Sequence, residues 1–380
     1  MIIQSKRIWI NKMFTKAQLE VENGIIQAVL PYGLKQSDLD YGAQRIIPGM
    51  IDIHTHGAYN YDTNDATKEG LELWAKELLK EGVTYFLPTT VTQSHEVLVA
   101  AAKNVAEYMK EEHEGAKVGG LHFEGPFINK KNKGAQPEQF CRTPDIEEFK
   151  EFQKAARGNI RVMTIAPEID EDYALTRYCS KNGVVISVGH SGATYEETML
   201  AAANGAKSVT HVYNGQTGLH HREPAVVGAV MRNHDLYGEI ITDGNHVTFP
   251  AIYDYAIQKG NKAIMISDSL RCKGMAEGVY DLGGQSVEIR PNGSCYLAGT
   301  NTLAGSTLRF NDGLRNLIEE VQLPVDLAIP MTSSNAADLL GIADHKGYIA
   351  ANHDADFVVL SDDYQVTETF IAGKAQLSGK

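Results

Sequence analysis

The sequence predicts an α/β protein, a TIM-type (β/α)8 barrel with a small β-sandwich domain formed from both chain ends. From about residue 46 onward, eight short runs rich in β-branched residues alternate with helical patterns, as in parallel sheets with crossover helices. Polar side chains collect at the carboxyl ends of these runs, which form the catalytic face of such a barrel. Strand-like pieces separated by turn residues occupy both chain ends.

The candidate barrel strands are Ile46–His56, Val83–Thr89, Lys117–Gly125, Asn159–Glu168, Val184–Ser191, Ser208–Asn214, Tyr237–Asn245 and Ala263–Ser269. Helical patterns fill the gaps between them. Thr67–Glu81 carries apolar residues at helical spacing, and Gly82 follows as a C-cap. A second helix is predicted over His95–Tyr108, which is rich in alanine and valine.

The predicted small domain takes strands from both ends of the chain. Arg7–Ile10, Gln18–Val21 and Gly24–Val29 lie near the start, and Asp356–Leu360 and Thr367–Ala372 near the end. We expect residues 1–47 and 345–380 to pair into this domain, and residues 48–344 to form the catalytic barrel.

Composition restricts the functional classes. The chain has 380 residues, 43% hydrophobic and 22% charged, as in an ordinary globular protein with a large core. A net charge of −13 without a basic run argues against nucleic acid or an anionic membrane as partner. No signal peptide and no apolar run of about 18 residues is evident, so we expect a cytoplasmic protein. The four cysteines show no C-x-x-C spacing, which indicates neither a thiolate zinc site nor a disulfide framework.

The stretch G-M-I-D-I-H-T-H-G raises the question of a metal site. Read as a strand, its period of two places Asp52, His54 and His56 on one face, so that two imidazoles lie side by side. Two histidines on a strand can also be satisfied by backbone and water. For this pair alone, both interpretations stay open.

Three further residues strengthen the metal hypothesis. Glu124 follows an apolar strand, where a carboxylate is costly unless it is paired or ligated. His190 and His211 end consecutive strands. Taken alone, either could be a core histidine with satisfied hydrogen bonds, and Glu124 could belong to a salt bridge. Together these side chains converge on one rim of the barrel. Imidazole with carboxylate suits Zn²⁺ or Fe²⁺, and three protein ligands leave a position open for catalysis.

Asp268 ends the eighth run and points to the same centre. It is the natural general base and acid for a water whose pKa a divalent metal lowers towards ~7. In this hypothesis Asp268 takes a proton from the water, so that hydroxide becomes available as a nucleophile, and later returns the proton.

A series of motifs gives the chain a family resemblance. They are P-G-M-I-D-I-H-T-H-G, H-F-E-G-P-F-I-N-K-K-N-K-G-A, S-V-G-H-S-G-A-T, T-H-V-Y-N, H-R-E-P-A-V-V-G-A, D-G-N-H-V, L-A-G-S-T-L and G-Y-I-A-A-N-H-D-A-D-F-V-V-L. In this order they resemble the N-acetylglucosamine-6-phosphate deacetylases of the amidohydrolase superfamily, over essentially the whole chain. H-x-H is shared by many amidohydrolases, whereas E-G-P-F-I-N and H-R-x-P with D-G-x-H-V are far more specific.

The resemblance implies a role for each motif residue. Glu124, His190 and His211 would bind the catalytic metal, and Asp268 would be the catalytic acid/base. His54 and His56 would add a second ion, with Glu124 bridging the two. The implied substrate contacts are Ala135, Gln136, Asn214, Gly215, Arg222, His246, Leu303, Ala304 and Gly305. Arg222 and His246 lie in the loops after the sixth and seventh runs, where a barrel often binds phosphate.

The resemblance also implies the cofactor and the partners. We expect one or two divalent ions per subunit, zinc or iron first, with manganese and cobalt as alternatives. The substrate would be a phosphorylated N-acetylated amino sugar, and the chain would form a homodimer whose phosphate loops are completed across the interface.

Gln136 is the largest departure from the family pattern. The family usually has histidine there, thought to contact the substrate near the acetyl carbonyl, and glutamine donates a hydrogen bond without carrying a charge. Three alternatives to N-acetylglucosamine 6-phosphate hydrolysis stay open. The substrate could be N-acetylgalactosamine 6-phosphate or another acylated amino-sugar phosphate. The chain could instead carry out a different amidohydrolase reaction, or be a catalytically silent binding protein.

Overall fold

Eight parallel strands form a closed barrel in the computed structural model, which describes residues 1–377. The barrel strands are Met50–Thr55, Val83–Thr90, Leu121–Glu124, Ile160–Ile165, Val185–Val188, Ala206–Val209, Gly238–Ile241 and Ala263–Ile266. The backbone N–H of Val212 donates to the Glu239 carbonyl (2.8 Å) and so joins the sixth strand to the seventh. The N–H of Asp268 donates to the His54 carbonyl (2.9 Å), which closes the eighth strand onto the first. The predicted barrel is therefore confirmed.

The first candidate strand is divided between two sheets. The predicted run Ile46–His56 separates at Gly49 into Arg45–Pro48, which belongs to the sheet of the chain ends, and the first barrel strand. A Cβ atom at Gly49 would lie 2.2 Å from the Thr84 side-chain oxygen. Glycine therefore allows the close approach of backbone and neighbouring strand at this joint.

The later candidate strands were predicted too long at their carboxyl ends. The fifth to eighth barrel strands end between three and five residues before the predicted runs do. Two residues after the fifth, sixth and eighth strands, His190, His211 and Asp268 have left-handed backbone angles (φ 48°, 25° and 47°). Because a strand cannot continue through such angles, the hydrogen-bonded pairing ends before these residues. The polar residues thus lie in the turns above the barrel rather than on the strands.

Helices surround the barrel. They are Lys68–Leu78, His95–Tyr108, Ile146–Ala155, Ala174–Lys181, Tyr195–Ala203, Ala225–Arg232, Phe249–Lys259, Phe310–Glu319, Val325–Met331 and Ser334–Leu340. The helix predicted over His95–Tyr108 has the observed bounds. The other predicted helix starts at the N-cap Thr67, finishes as a 3-10 turn over Leu79–Glu81 and is capped by Gly82 in the left-handed region, as predicted.

The described part of both chain ends forms one eight-stranded sheet. Its strands are Ile2–Ile10, Met13–Glu22, Ile25–Pro31, Leu39–Asp40, Arg45–Pro48, Phe357–Leu360, Val366–Ile371 and Lys374–Ala375. Phe357–Leu360 pairs antiparallel with Arg45–Pro48 and joins the two ends. Ile8, Leu19 and Phe357 share one apolar cluster. A small β-domain is thus present; its predicted boundaries stay a prediction, and residues 378–380 lie outside the described residues.

Two apolar clusters support the barrel. Leu87, Val162 and Ile266 from three barrel strands belong to one cluster. The larger cluster includes Trp74 from a surrounding helix and Phe86 from a strand. This packing fixes the strands so that their carboxyl ends meet at one rim.

Short additional strands supplement the barrel. Gly57–Ala58 pairs with Tyr61–Asp62, and Lys117–Val118 adds to the second barrel strand. Val279–Leu282, Gln285–Ile289 and Cys295–Leu297 form a three-stranded antiparallel insert after the eighth strand. Within residues 1–377, the helices are too short or too polar to reach across a lipid bilayer.

Candidate active site

Glu124 lies at the centre of the histidine cluster. Its Oε1 atom is 3.0 Å from His211 Nε2, 3.3 Å from His190 Nε2 and 3.2 Å from His54 Nε2. Its Oε2 atom is 3.2 Å from His56 Nε2. The structure thus brings together all five residues predicted as metal ligands, and places Glu124 between the two histidine pairs.

Asp268 contacts the same cluster through His54 and His56. Its Oδ1 atom is 3.2 Å from His56 Nε2 and 3.5 Å from His54 Nε2. The carboxylate also lines a pocket above the cluster, and so can reach both the candidate metal ligands and a bound molecule. This is the position that a proton-transfer group requires.

Hydrogen bonds fix the orientation of three histidine rings. His190 Nδ1 donates to the Asn132 carbonyl (2.9 Å), and His56 Nδ1 lies 3.2 Å from the Thr89 carbonyl. His54 Nδ1 donates to Glu239 Oε2 at 2.9 Å. Each bond keeps a proton on Nδ1 and directs Nε2 towards Glu124, as the second shell of a metal site does.

The donor set fits a divalent cation in two adjacent groups. Glu124, His190 and His211 form one group, and His54, His56 and Asp268 form the other, each with its ligand atoms within 4.8 Å of one another. The fully buried His54 Nε2 lies 3.2 Å from Glu124 Oε1 but without the geometry of a hydrogen bond. The Nε2 atoms of His190 and His211 approach each other to 3.2 Å. Clustered, buried imidazole nitrogens of this kind are stabilised by a metal ion.

Electrostatic coupling across the cluster is strong. Burial raises the pKa of the Glu124 carboxyl, but the charges of His54 and His190 lower it more, and the net pKa lies well below the usual range. Burial lowers the pKa of His56, while its hydrogen bonds to Asp268 and Glu124 raise it to about 9. The pKa of Asp268 shifts for similar reasons. Burial raises it, but the charge of His54 and the hydrogen bond and charge of His56 bring it below the usual value. Both carboxylates are therefore ionised at neutral pH and suited to a cation.

A third group of buried side chains supports this cluster. His122, Glu239 and His54 lie within 4.8 Å of one another. His122 already bonds the Ile53 carbonyl (3.0 Å) and the Thr164 hydroxyl (2.7 Å) through its two ring nitrogens. Burial, and then the charge of His54, lower the pKa of His122 well below its usual value. This group is therefore a hydrogen-bond network and not a separate metal site.

Sequence reasoning did not select Glu239 and His122. Both lie inside barrel strands between apolar residues, Glu239 in G-E-I-I and His122 in G-L-H-F-E. The cost of a polar side chain in an apolar strand, which singled out Glu124, also applies to these two residues. That signal could have found them.

A pocket of about 310 Å³ opens above the cluster. The predicted substrate contacts Ala135, Gln136, Asn214, Gly215, His246, Leu303 and Gly305 line it, together with Tyr213, Asn301 and Thr302. At Gly215 (φ 60°) a Cβ atom would lie 2.8 Å from His190 Nδ1, so the absence of a side chain leaves room for the imidazole ring of His190. Ala304 is fully buried beside the pocket, where its N–H donates to the Cys295 carbonyl (3.0 Å).

Arg222 does not line this pocket. It lies in the exposed segment 217–223, where its guanidinium donates to His221 Nε2 at 2.9 Å. The structure of one chain therefore brings His246 to the pocket and leaves Arg222 outside it.

Gln136 contacts a candidate metal ligand directly. Its side-chain amide nitrogen donates to Glu124 Oε2, and its Oε1 accepts the N–H of Thr92 at 2.8 Å. The second hydrogen bond fixes which end of the amide faces Glu124. Because the amide nitrogen has two protons, one N–H is left for a ligand in the pocket.

Comparison with known proteins places this geometry in a family. The model of the amidohydrolase family matches residues 45–375. The chain belongs to the amidohydrolase family. It is similar to the N-acetylglucosamine-6-phosphate deacetylase of Bacillus subtilis (strain 168), with 40% identity over 88% of this chain and 85% of that protein. It is also similar to the N-acetylgalactosamine-6-phosphate deacetylase of Escherichia coli O157:H7, with 33% identity over 94% of each chain.

A solved structure supports the same assignment. The N-acetyl-D-glucosamine-6-phosphate deacetylase from Mycobacterium smegmatis, in complex with N-acetyl-D-glucosamine-6-phosphate, superimposes with a TM-score of 0.94. The two chains are 29% identical, and the match covers 100% of this chain and 99% of that one. The predicted resemblance to the deacetylases of the amidohydrolase superfamily is thus confirmed, as is the prediction of an amide hydrolase. Amidohydrolases depend on metal, in agreement with the candidate ligand groups of this chain.

Proposed function

We propose that this protein hydrolyses the N-acetyl group of N-acetylglucosamine 6-phosphate to give glucosamine 6-phosphate and acetate. The observation that carries the proposal is the arrangement of Glu124, four histidines and Asp268 at the base of one pocket. The similarity of this protein to deacetylases over most of the chain supports the choice of substrate.

The candidate ligands would hold one or two divalent ions. Glu124, His190 and His211 would hold the first, and His54 and His56, together with Glu124, would hold a second. Zinc and iron suit this donor set best, with manganese and cobalt as alternatives. When bound, such an ion lowers the pKa of water towards ~7 and polarises the acetyl carbonyl.

Asp268 moves the proton in this mechanism. Its ionised carboxylate accepts a proton from the attacking water while a C–O bond forms at the acetyl carbon. Asp268 then gives the proton to the sugar nitrogen as the C–N bond breaks, so that an amine and acetate leave. The free N–H of Gln136 donates to the acetyl oxygen as negative charge develops on it.

The rest of the pocket orients the sugar phosphate. Asn214, Gly215 and the segment 303–305 supply polar contacts to the sugar, and Ala135 packs beside it. His246 binds the phosphate. Because Arg222 lies outside the pocket of its own chain, we propose that Arg222 of a second copy completes the phosphate site in a homodimer.

N-acetylgalactosamine 6-phosphate is the second candidate substrate. A relative that is named for this substrate is 33% identical over nearly the whole chain. Gln136 in place of the family's histidine also changes the pocket near the acetyl group. The orientation of a single hydroxyl, at carbon 4 of the sugar, separates the two candidates.

Parallel assays of the two epimers test the proposal. The kcat/KM for acetate release should be higher with N-acetylglucosamine 6-phosphate than with the galacto epimer. Acetate release from both sugars should require bound metal. A preference for the galacto epimer would assign the second candidate, and no acetate from either sugar would contradict the deacetylase function.

A further inference from the structure

The turn after the seventh barrel strand holds a buried carboxylate and imidazole side by side. It contains D-G-N-H, residues 243–246, directly above the strand Gly238–Ile241. The side chains of His246 and Asp243 are 4% and 10% exposed. His246 lines the pocket, and Asp243 is not among the lining residues.

The two carboxylate oxygens of Asp243 make different bonds. Oδ1 accepts the backbone N–H groups of Asn245 and His246, both at 2.9 Å. These bonds alone fix the turn, as in other Asx turns. Oδ2 accepts from His246 Nδ1 at 2.7 Å. The second oxygen therefore serves the imidazole and not the backbone.

The bond to Asp243 determines what His246 offers the pocket. An ionised carboxylate only accepts hydrogen bonds, so Nδ1 must carry a proton. Among the described residues, Nε2 has no hydrogen-bond partner. Burial lowers the pKa of His246, but the hydrogen bond and charge of Asp243, with the charge of Asp268, raise it above its usual value. Nε2 can thus carry a second proton and donate it to an anion.

We propose that Asp243 is a positioning residue for the phosphate subsite, where it holds His246 with a donating Nε2 directed at the anionic group of the substrate. This inference rests on the proposed function for the identity of the phosphate ester. Asp243 does not touch the substrate, and acts through the imidazole in the way that a second-shell carboxylate orients a metal-ligating histidine.

Asp243→Asn tests this role with little change of shape. The asparagine oxygen can still accept both backbone N–H groups, so the turn is retained. Its amide NH₂ replaces Oδ2 and donates where the carboxylate accepted, which removes the charge partner of His246. Asp170→Asn is a matched control, because Asp170 is a buried carboxylate that also accepts backbone N–H groups, at Leu175 and Thr176, away from the pocket.

Two readouts separate positioning from catalysis. In Asp243→Asn we expect KM for N-acetylglucosamine 6-phosphate to rise about tenfold, because a charge-assisted hydrogen bond becomes a neutral one, with kcat within about twofold. The dissociation constant of inorganic phosphate, measured by calorimetry, should rise by a similar factor. Asp170→Asn should leave both values unchanged.

A double-mutant cycle with His246→Asn shows whether Asp243 acts through the imidazole. In the His246→Asn background, Asp243→Asn should add no further loss of phosphate binding. Equal and independent losses in both backgrounds, or a fall in kcat with unchanged phosphate binding, would overturn the inference. If the wild type releases no acetate, the proposed function fails, whereas the phosphate titrations still test the role of Asp243.

Discussion

Asp268 is the residue on which the proposed proton transfer depends. We expect Asp268→Asn to lower kcat by about 10²–10⁴-fold, because the amide can no longer accept a proton from water or return it to the nitrogen. Steady-state acetate release with metal analysis measures this effect. KM should change little, and Asp170→Asn serves again as the control. A variant that turns over at the wild-type rate would contradict the role of Asp268.

The H-x-H pair decides how many ions bind. His54 contacts Glu124 at Oε1, the oxygen that His190 and His211 also approach, whereas His56 contacts Oε2. Replacing both with asparagine should halve the metal content per subunit, because the group of Glu124, His190 and His211 stays intact. His113→Asn, a change outside the cluster, should leave it unchanged. Equal metal content in the double variant would show that the pair only shapes the pocket.

The clustering of the candidate ligand residues could be predicted from the sequence, but the orientation of their rings could not. Glu124, His190 and His211 each follow an apolar strand, and parallel strands bring their carboxyl ends to one rim. The ring nitrogen that faces the metal depends on a distant partner. For His54 that partner is Glu239, which lies 185 positions away in the chain. No local pattern contains that information.

At the scale of elements, Gly49 joins the sheet of the chain ends to the first barrel strand. A Cβ atom there would lie 2.2–2.9 Å from three side-chain atoms of the buried Thr84. We expect Gly49→Ala to lower the free energy of unfolding by about 1–3 kcal/mol, as overpacking does in cores. Urea denaturation measures the change.

Gly218→Ala is the matched control for Gly49→Ala. Gly218 has open space around it and no left-handed backbone angle, so alanine should be tolerated there. Equal stability of the two variants would mean that the joint does not need glycine.

The buried amine of Lys259 connects two helices and gives a pH-dependent stability. At the end of the helix Phe249–Lys259, Nζ donates to the carbonyls of Val230 (2.8 Å) and Asn233 (2.7 Å). Burial, with the nearby charge of Lys262, lowers the pKa of Lys259 from its ordinary 10.5 to about 8. The unfolded chain therefore binds this proton more tightly, and stability rises with pH in that interval.

Lys259→Met tests the sign of this effect. Below about pH 8 the wild type carries the full cost of the buried charge, and this cost disappears as pH rises towards 10.5. The free energy of unfolding of the wild type should thus increase relative to Lys259→Met over this interval. Lys181→Met controls for the loss of an exposed charge. A constant difference between wild type and Lys259→Met would contradict the shift.

The type and position of the elements could be predicted better than the residues at which the strands end. The helix His95–Tyr108 has the predicted bounds because a Ser94 N-cap and an amphipathic pattern are local signals. The later strands end earlier than predicted because the turns at His190, His211 and Asp268 adopt left-handed angles that non-glycine residues rarely have. Such angles are typical of functional sites, where the surrounding structure maintains them.

At the scale of the whole molecule, the candidate metal ligands and Asp268 come from distant parts of the barrel. His54, Glu124, His190, His211 and Asp268 follow or end the first, third, fifth, sixth and eighth strands. An ion that binds only the folded chain stabilises it according to concentration and affinity. We therefore expect chelation to lower the midpoint of thermal unfolding, measured by calorimetry, and re-addition of the metal to restore it.

In the proposed mechanism, this ligand set supports metal-dependent deacetylation with Asp268 as the proton carrier. The most direct measurement is acetate release from N-acetylglucosamine 6-phosphate while zinc or iron is titrated back into chelated protein, with bound metal counted at each step. We expect the rate to rise in proportion to bound metal in the wild type and to stay low in Asp268→Asn at equal metal content. A rate that does not depend on bound metal, or that is equal in the two proteins, would contradict the proposed mechanism.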